Sequence, residues 1–375
     1  MNEIGEKDPK RFMDEVLKQR VTLLDIAADA GVSRATVSLV IRNAPSVADA
    51  TRKRVERSIK RLGYVYHRGA ASLRTQHSHA VGLIISDITN PFFAEVTVAI
   101  EEHLATAGLV TLLGNTSEDG AKETRLLKSM TEFPADGILL CSALGQNDSR
   151  EIRPSPVPTV AFARRLHGLD YAGVDNMQGS ILAVEHLAKL GNRRIAFIGG
   201  NAKTTAGQER MEGYQRALDR LAIPFDPELV IPCAPTRRCG SQGLQQLLTV
   251  TDPPTAAVCY NDVVALGAME ALQNFGIRPG KDFGVVGFNN VPDAAQSLPG
   301  LTTVDTSARE LGRTAAELLL KRIEQPNSPI RTVILQPRLI VRQSCGAESS
   351  PNTPLYSLNQ EYWPRNYGAI EGNPN

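Results

Sequence analysis

The residues VTLLDIAADAGVSRATVSLVIRN, numbers 21 to 43, decide how the rest of the chain is read. Thr22 is placed to cap a helix in which Leu23, Ile26, Ala27 and Ala30 return at helical spacing. Gly31 then ends that helix, because a residue without a Cβ enters a positive-φ turn at no steric cost. Ser33 caps a second helix, Arg34 to Ile41, with Val37, Val40 and Ile41 on its inner face. Helix, glycine turn and helix in this order make the helix-turn-helix arrangement. Its second helix fits the major groove of DNA with its first residues against base edges. Ser33, Thr36 and Ser38 supply hydroxyls for phosphates, helped by the helix dipole. The competing reading is an ordinary helical hairpin, and the flanking sequence separates the two.

Downstream, Val55, Ile59 and Leu62 mark a third helix, surrounded by Arg52, Lys53, Arg54, Arg57, Lys60 and Arg61 and ended by Gly63. Net charge over the 375 residues is +1, yet residues 1–78 hold 15 Lys+Arg against 9 Asp+Glu, and the remainder is net −5. A basic head on an acidic body points to an anionic partner for the head alone. Residues 67–78 form a short polar linker built on Gly69, Ala70, Ala71, Ser72 and Leu73. A helix of that length is marginal in water and needs a partner to hold it. Residues 1–20 are a charged extension with no assignable mechanism.

From Ala80 onward strand-like runs begin near Val81, Leu109, Gly137, Pro158, Arg194, Leu229, Ala256 and Phe283, with helical patterns between most of them. That rhythm predicts βαβ units and parallel sheets, and the length calls for two α/β lobes over residues 79–345. Leu301–Val304 and Arg331–Val341 read as late returns between the lobes. Residues 346–375 are rich in Pro, Asn, Ser and Gly and read as a mostly disordered tail; Leu355 and Leu358 alone make no coiled coil.

Hydrophobic residues make up 42% and charged residues 22%, ordinary soluble usage, and no run approaches the ~20 apolar residues of a membrane span. The start of the chain is polar and does not read as a secretory signal. The five cysteines, Cys141, Cys233, Cys239, Cys259 and Cys345, form no CxxC pair. Neither a disulfide framework nor a zinc site is expected, and a reducing cytoplasm fits best. No Walker loop, HExxH or GxSxG occurs, and Gly199-Gly200 lacks the spacing of a dinucleotide site, so catalysis is not expected and no cofactor or metal is implied.

The segments LLDIAADAGVSRATVS, TRKRVERSIKRLGY and RGAASLR resemble the lactose-repressor (LacI/GalR) family of bacterial transcription factors. The match continues through VGLIISDITNPFFAEV, GVDNMQGSILAVEHLAKLGNRRIAFIGG, ERMEGYQRAL, PTAAVCYNDVVALGAMEAL and GVVGFNNVPDAAQSLPGLTTV, in the family's order, over roughly Val21 to Gln343. The resemblance implies an all-α helix-turn-helix head (21–66), a hinge helix (67–78) and a two-lobed core like a periplasmic sugar-binding protein. It implies a transcriptional repressor, dimeric on a near-palindromic operator and governed by a small effector such as a sugar or sugar acid, with no membrane partner.

Carried over residue by residue, Arg34 and Ala35 fall at base-reading positions. Leu39 falls at a third, where members often carry Arg; it offers only an apolar contact such as a thymine methyl. Thr22, Ser33, Thr36, Thr51 and Tyr64 are expected at phosphates. Ala48 stands where many members have a capping Ser, with Asp49 as a partial substitute. Ala70 and Leu73 match the residues that enter the minor groove, where an apolar wedge unstacks a base step.

In the core, Asn90-Pro91-Phe92-Phe93 ends the first strand, at the kind of loop where α/β lobes bind ligands. Phe92 and Phe93 offer stacking faces, and Arg210 matches the family's ligand-gripping arginine. Of Asn261 and Asp262, one is expected at the ligand and the other as a helix cap, an alternative that weighs most on Asp262. Asn289 replaces an Asp common in sugar-binding members, and Ala163 lies near another. Both losses favour an acidic or phosphorylated sugar, with Arg164 or Arg210 as counter-charge. Two rivals remain: a periplasmic-type solute-binding protein, which would share the core, and an enzyme on a doubly wound sheet, which would need a catalytic constellation.

Overall fold

The computed structural model describes residues 21–64, 77–133, 135–144 and 157–347. They fall in two compact units that divide at Ser78 and His79. In the first unit, α1 (Leu23–Ala30), α2 (Arg34–Ile41) and α3 (Asp49–Leu62) bury Ile26, Ala27, Ala30, Val37, Val40 and Val55 around one small core. Thr22 caps α1 in a full capping box with Asp25. Gly31 closes the helix at φ 62°, the left-handed conformation expected of it. Ser33 caps α2 by accepting the Thr36 N–H at 3.1 Å. Helix α3 differs from expectation: Ala48 occupies its cap and no side chain, Asp49 included, bonds the free N–H groups there. Asp49 sits inside the first turn, too far along to accept them from the cap position.

The second unit holds two six-stranded sheets. The first contains β1 (Ala80–Ile85), β2 (Val110–Asn115), β3 (Gly137–Leu140), β4 (Thr159–Phe162), β5 (Asp170–Val174) and β11 (Thr332–Leu335). Its order is β2-β1-β3-β4-β5-β11 and every pairing is parallel. The second contains β6 (Ile195–Ile198), β7 (Val230–Ile231), β8 (Ala256–Cys259), β9 (Gly284–Asn289), β10 (Thr302–Asp305) and β12 (Arg338–Ile340). Its order is β7-β6-β8-β9-β10-β12, parallel except for β12. Helices α4 (Pro91–Thr106), α5 (Gly120–Glu132) and α11 (Ala308–Glu324) belong to the first lobe. Helices α6 (Asn176–Lys189), α7 (Thr205–Arg220), α8 (Arg237–Leu247), α9 (Asp262–Asn274) and α10 (Pro292–Gln296) belong to the second.

The chain passes between lobes three times: from β5 to α6, from β10 to α11, and from β11 to β12. Strand β5 escaped the sequence pattern because Asp170 and Gly173 dilute its apolar run. Asp170 is tolerated there, 3% exposed, because Arg322 of α11 grips its carboxylate at 2.7 and 2.8 Å and the Arg331 N–H adds a third bond. Against expectation, Cys233 and Cys239 are joined as a disulfide, their Cα atoms 6.0 Å apart, while Cys141, Cys259 and Cys345 are free and buried. A spacing of six residues carried no sign of this pairing; it arises because the chain turns back into the first turn of α8. Among the described residues no helix is long and apolar enough to cross a membrane, and no cluster of metal-ligating groups occurs.

Candidate DNA-reading face and interlobe cleft

In the head, packing decides which side of α2 is left for a partner. Val37 and Val40 face the core, while Ser33, Arg34 and Ala35 are exposed. Thr36, Ser38 and Leu39 are half-buried, as are Thr51 and Tyr64. The Thr22 hydroxyl donates to Asp25 Oδ2 at 2.7 Å, so its proton is already engaged in the cap. Ser33 and Thr36 share a hydroxyl–hydroxyl bond of 2.9 Å. Two cations of α3 bond to other parts of the unit: Arg61 pairs with Asp29, and Arg52 donates to Asn43 Oδ1 at 2.8 Å and to the Ala44 carbonyl. Lys53, Arg54, Arg57 and Lys60 stay exposed. Leu24, at 64% exposure, is an apolar residue on α1 that the sequence reading did not single out. Ala70 and Leu73, and residues 1–20, lie outside the described residues, as does the tail from residue 348 on.

In the core, the ends of both sheets meet at a chamber lined by residues from each lobe. Phe92 and Phe93 stand there because Asn90 caps α4, accepting the Phe92 N–H at 3.1 Å, and Pro91 opens the helix. Their rings meet edge to face with centroids 5.0 Å apart. Arg164, 5% exposed, follows β4, and Glu118 takes it in a bidentate pair at 2.7 and 2.8 Å. It also donates to the Ser142 carbonyl at 2.9 Å.

Arg210, 7% exposed, comes from α7 of the other lobe. Its guanidinium lies 3.7 Å from the Phe288 ring centroid and 4.6 Å from that of Tyr260. Its hydrogen-bond acceptors are all neutral: Asn176 Oδ1 at 2.9 Å, the Tyr260 carbonyl, and Asn289 Oδ1 at 3.5 Å. Asn176 in turn donates to Glu209 at 2.8 Å, so the nearest hydrogen-bonded carboxylate stands one residue away from the cation. Burial pulls the Arg210 pKa down from its ordinary value.

The Asn261–Asp262 pair resolves into different duties. Asn261 caps α9, its Oδ1 accepting the Val264 N–H at 3.0 Å, and it also lines the chamber. Asp262 is not part of the lining. It is fully buried, accepts the Val291 N–H at 2.8 Å and the Thr303 hydroxyl, and ties α9 to the loop after β9. Burial pushes its pKa up to about 7.

Several lining residues escaped the sequence reading, among them the polar Glu118, Asn176 and Thr306. Asn176, first residue of α6, was visible only as part of the GVDN segment. Thr306 lies on the β10–α11 crossing, 2% exposed, and its hydroxyl has no hydrogen-bond partner in the structure. Ala163, Asn289 and Ser307 beside the chamber adopt φ values of 58°, 110° and 51°. Such backbone strain gathers where a site over-determines its geometry. An outer chamber of about 280 Å³ adjoins the first, sharing Asp87, Asn90 and Pro235 and adding the Arg237–Asp293 ion pair.

The described head and core each match a known family model. Residues 22–66 match bacterial regulatory proteins of the lacI family, and residues 184–345 a periplasmic binding protein-like domain. The maltose regulon regulatory protein MalI of Escherichia coli (strain K12) is 32% identical over 336 residues, covering 86% of this chain and 98% of that protein. Among solved structures, the transcriptional regulator CelR–cellobiose complex is 31% identical at a TM-score of 0.66, covering 87% of this chain and all of the other. The lac repressor dimer bound to operator and the anti-inducer ONPF is 27% identical at a TM-score of 0.77, covering 88% and 100%. With a helix-turn-helix head and a two-lobed core in the same order and at this coverage, the chain belongs to the lacI family of bacterial transcriptional regulators.

Proposed function

We propose that this chain is a cytoplasmic repressor that binds a near-palindromic operator as a homodimer and answers to a small effector held between its lobes. The observation that carries the reading is the free face of α2: Arg34 and Ala35 are exposed at the start of a helix whose other side is fixed by Val37 and Val40. Arg34 suits a guanine edge, and Leu39 a thymine methyl. Ser33, Thr36, Ser38, Thr51 and Tyr64 are assigned as phosphate contacts, and Thr22 meets a phosphate only by giving up its bond to Asp25. Residues 21–66 are the reader, 67–78 the hinge with Ala70 and Leu73 as minor-groove wedges, and 79–345 the sensor and dimerisation body. No catalytic role is assigned to any residue.

The chamber serves the effector. Because Glu118 already neutralises Arg164, the counter-charge for an acidic or phosphorylated sugar falls to Arg210, with Asn289, Asn261 and Thr306 as hydrogen-bonding neighbours and Phe92 and Phe93 as the apolar cover. Asp262 supports this wall from behind. An effector shifts DNA affinity only through its different affinity for the two forms of the protein, typically by about 5–150-fold.

A gel shift on the DNA upstream of the gene, at two salt concentrations, tests the reader. Specific binding that weakens steeply with salt is expected. A solute-binding protein without DNA activity would show none. A thermal-shift screen of neutral sugars, sugar acids and sugar phosphates tests the sensor; stabilisation by neutral sugars alone refutes the anionic effector.

A further inference from the structure

Two sulfurs meet at the rim of the cleft. After β7 the chain turns through Cys233, whose backbone bridges to Gly200 in the loop that leads into α7, the helix carrying Arg210. Cys239 is the third residue of α8, and its N–H donates to the capping Thr236 hydroxyl at 3.2 Å. Between the two, Pro235 lines both chambers, and Arg237 pairs with Asp293 at 2.9 Å. The start of α8 is anchored from behind: a Cβ on Gly267 of α9 would stand 2.0 Å from the Arg237 carbonyl. The loop is therefore pinned at its helical end, and the Cys233–Cys239 bond pins the other. Their Cα separation of 6.0 Å lies within the ordinary disulfide range.

This rests on the reading that the chain works inside the cell, where thiols are kept reduced and a disulfide is transient and redox-sensing. We propose that Cys233 and Cys239 are a reversible thiol–disulfide pair, oxidised by a peroxide or a low-molecular-weight disulfide, whose closure stiffens the rim of the effector cleft. Cys233 is half-buried and within reach of a dissolved oxidant, whereas Cys141, Cys259 and Cys345 are at most 3% exposed. With hydrogen peroxide, the Cys233 thiolate attacks one oxygen and becomes a sulfenic acid, releasing hydroxide. The Cys239 thiolate then attacks that sulfur, the S–S bond forms and a second hydroxide leaves. The two thiol protons convert both hydroxides to water, and two electrons pass from the thiols to the peroxide. With oxidised glutathione the same two electrons yield two reduced glutathiones.

The test equilibrates the full-length chain in glutathione buffers from fully reduced to fully oxidised, traps thiols by alkylation, and maps them by mass spectrometry. Cys233 and Cys239 are expected to pass reversibly from two alkylated thiols to one cross-link, while the three buried cysteines are alkylated only after unfolding. Hydrogen exchange at Ala234, Thr236 and Arg237 is expected to slow about three- to tenfold on oxidation, as a loop ordered in advance loses fewer states. Cys233→Ser and, independently, Cys239→Ala should abolish that difference. Absence of the cross-link in excess oxidised glutathione, its survival in excess reduced glutathione, or equal exchange in both states overturns the proposal. DNA binding read on the same samples keeps the two readings apart: reversible cross-linking without any salt-dependent binding refutes the repressor and leaves the redox pair standing.

Discussion

The two walls of the cleft each bury an arginine, and they treat it in opposite ways. On the first lobe Arg164 is closed off by a bidentate carboxylate, beside Phe92, Phe93 and Leu311. On the second lobe Arg210 lies between two aromatic rings and meets only neutral acceptors. Equal burial thus leaves one cation chemically complete and the other with interaction to offer. Under the proposed function, the second lobe is the one that grips the effector and the first the one that covers it.

Breaking the closed side should give the largest effect. Glu118→Ala leaves Arg164 buried without its ion-pair partner, and a stability loss of about 3 kcal/mol in denaturant unfolding is expected. Arg164→Met added to that variant should recover most of the loss; failure to recover would mean that Glu118 stabilises the lobe by other means. On the open side the pattern reverses. Arg210→Gln should cost little stability, because it removes a desolvated cation, yet weaken effector binding about 10- to 100-fold, the worth of a charged hydrogen bond. Thermal-shift titration with the sugar or sugar acid that best stabilises the wild type would check this, and equal binding by the variant would dissolve the contrast between the walls.

Behind the open wall, the raised pKa of Asp262, about 7, has a sign that can be worked out. Between the ordinary carboxylate pKa near 4 and this value, the folded state holds a proton that the unfolded state has released. Stability therefore falls as pH rises through that window and levels off above pH 7. Asp262→Asn should flatten that part of the profile of unfolding midpoint against pH. The smallest effect is expected at the crossing between the walls. Thr306→Val removes a buried hydroxyl that has no partner, so the empty protein should gain about 1 kcal/mol, while a hydroxylated effector loses affinity. A destabilised valine variant would show that the hydroxyl is satisfied.

Legibility followed distance along the chain. The NPFF segment announced Phe92 and Phe93 because the cap, the helix and the ligand loop lie within four residues. Arg210, Asn261 and Asn289 were found through resemblance alone, since nothing in their own surroundings separates them from ordinary helix and strand ends. Asn261 and Asp262 show the limit well: both are cap-forming types, and only the position of Thr303 and the Val291 N–H, 41 and 29 residues onward, turns Asp262 away from the chamber. Glu118, Asn176 and Thr306 had no local signal, because each becomes a lining residue through a crossing or a loop contributed from elsewhere.

The sequence by itself determined the head, since a cap, a glycine and a three-and-four spacing are contacts between near neighbours and are written in order. It also determined the alternation of strand and helix that requires two parallel sheets. What tertiary structure decided is which polar group is satisfied and which is left to meet a partner. That choice separates Arg164 from Arg210. It depends on atoms from segments far apart in the chain, whose approach is fixed by packing of the lobes and is not encoded in any one segment.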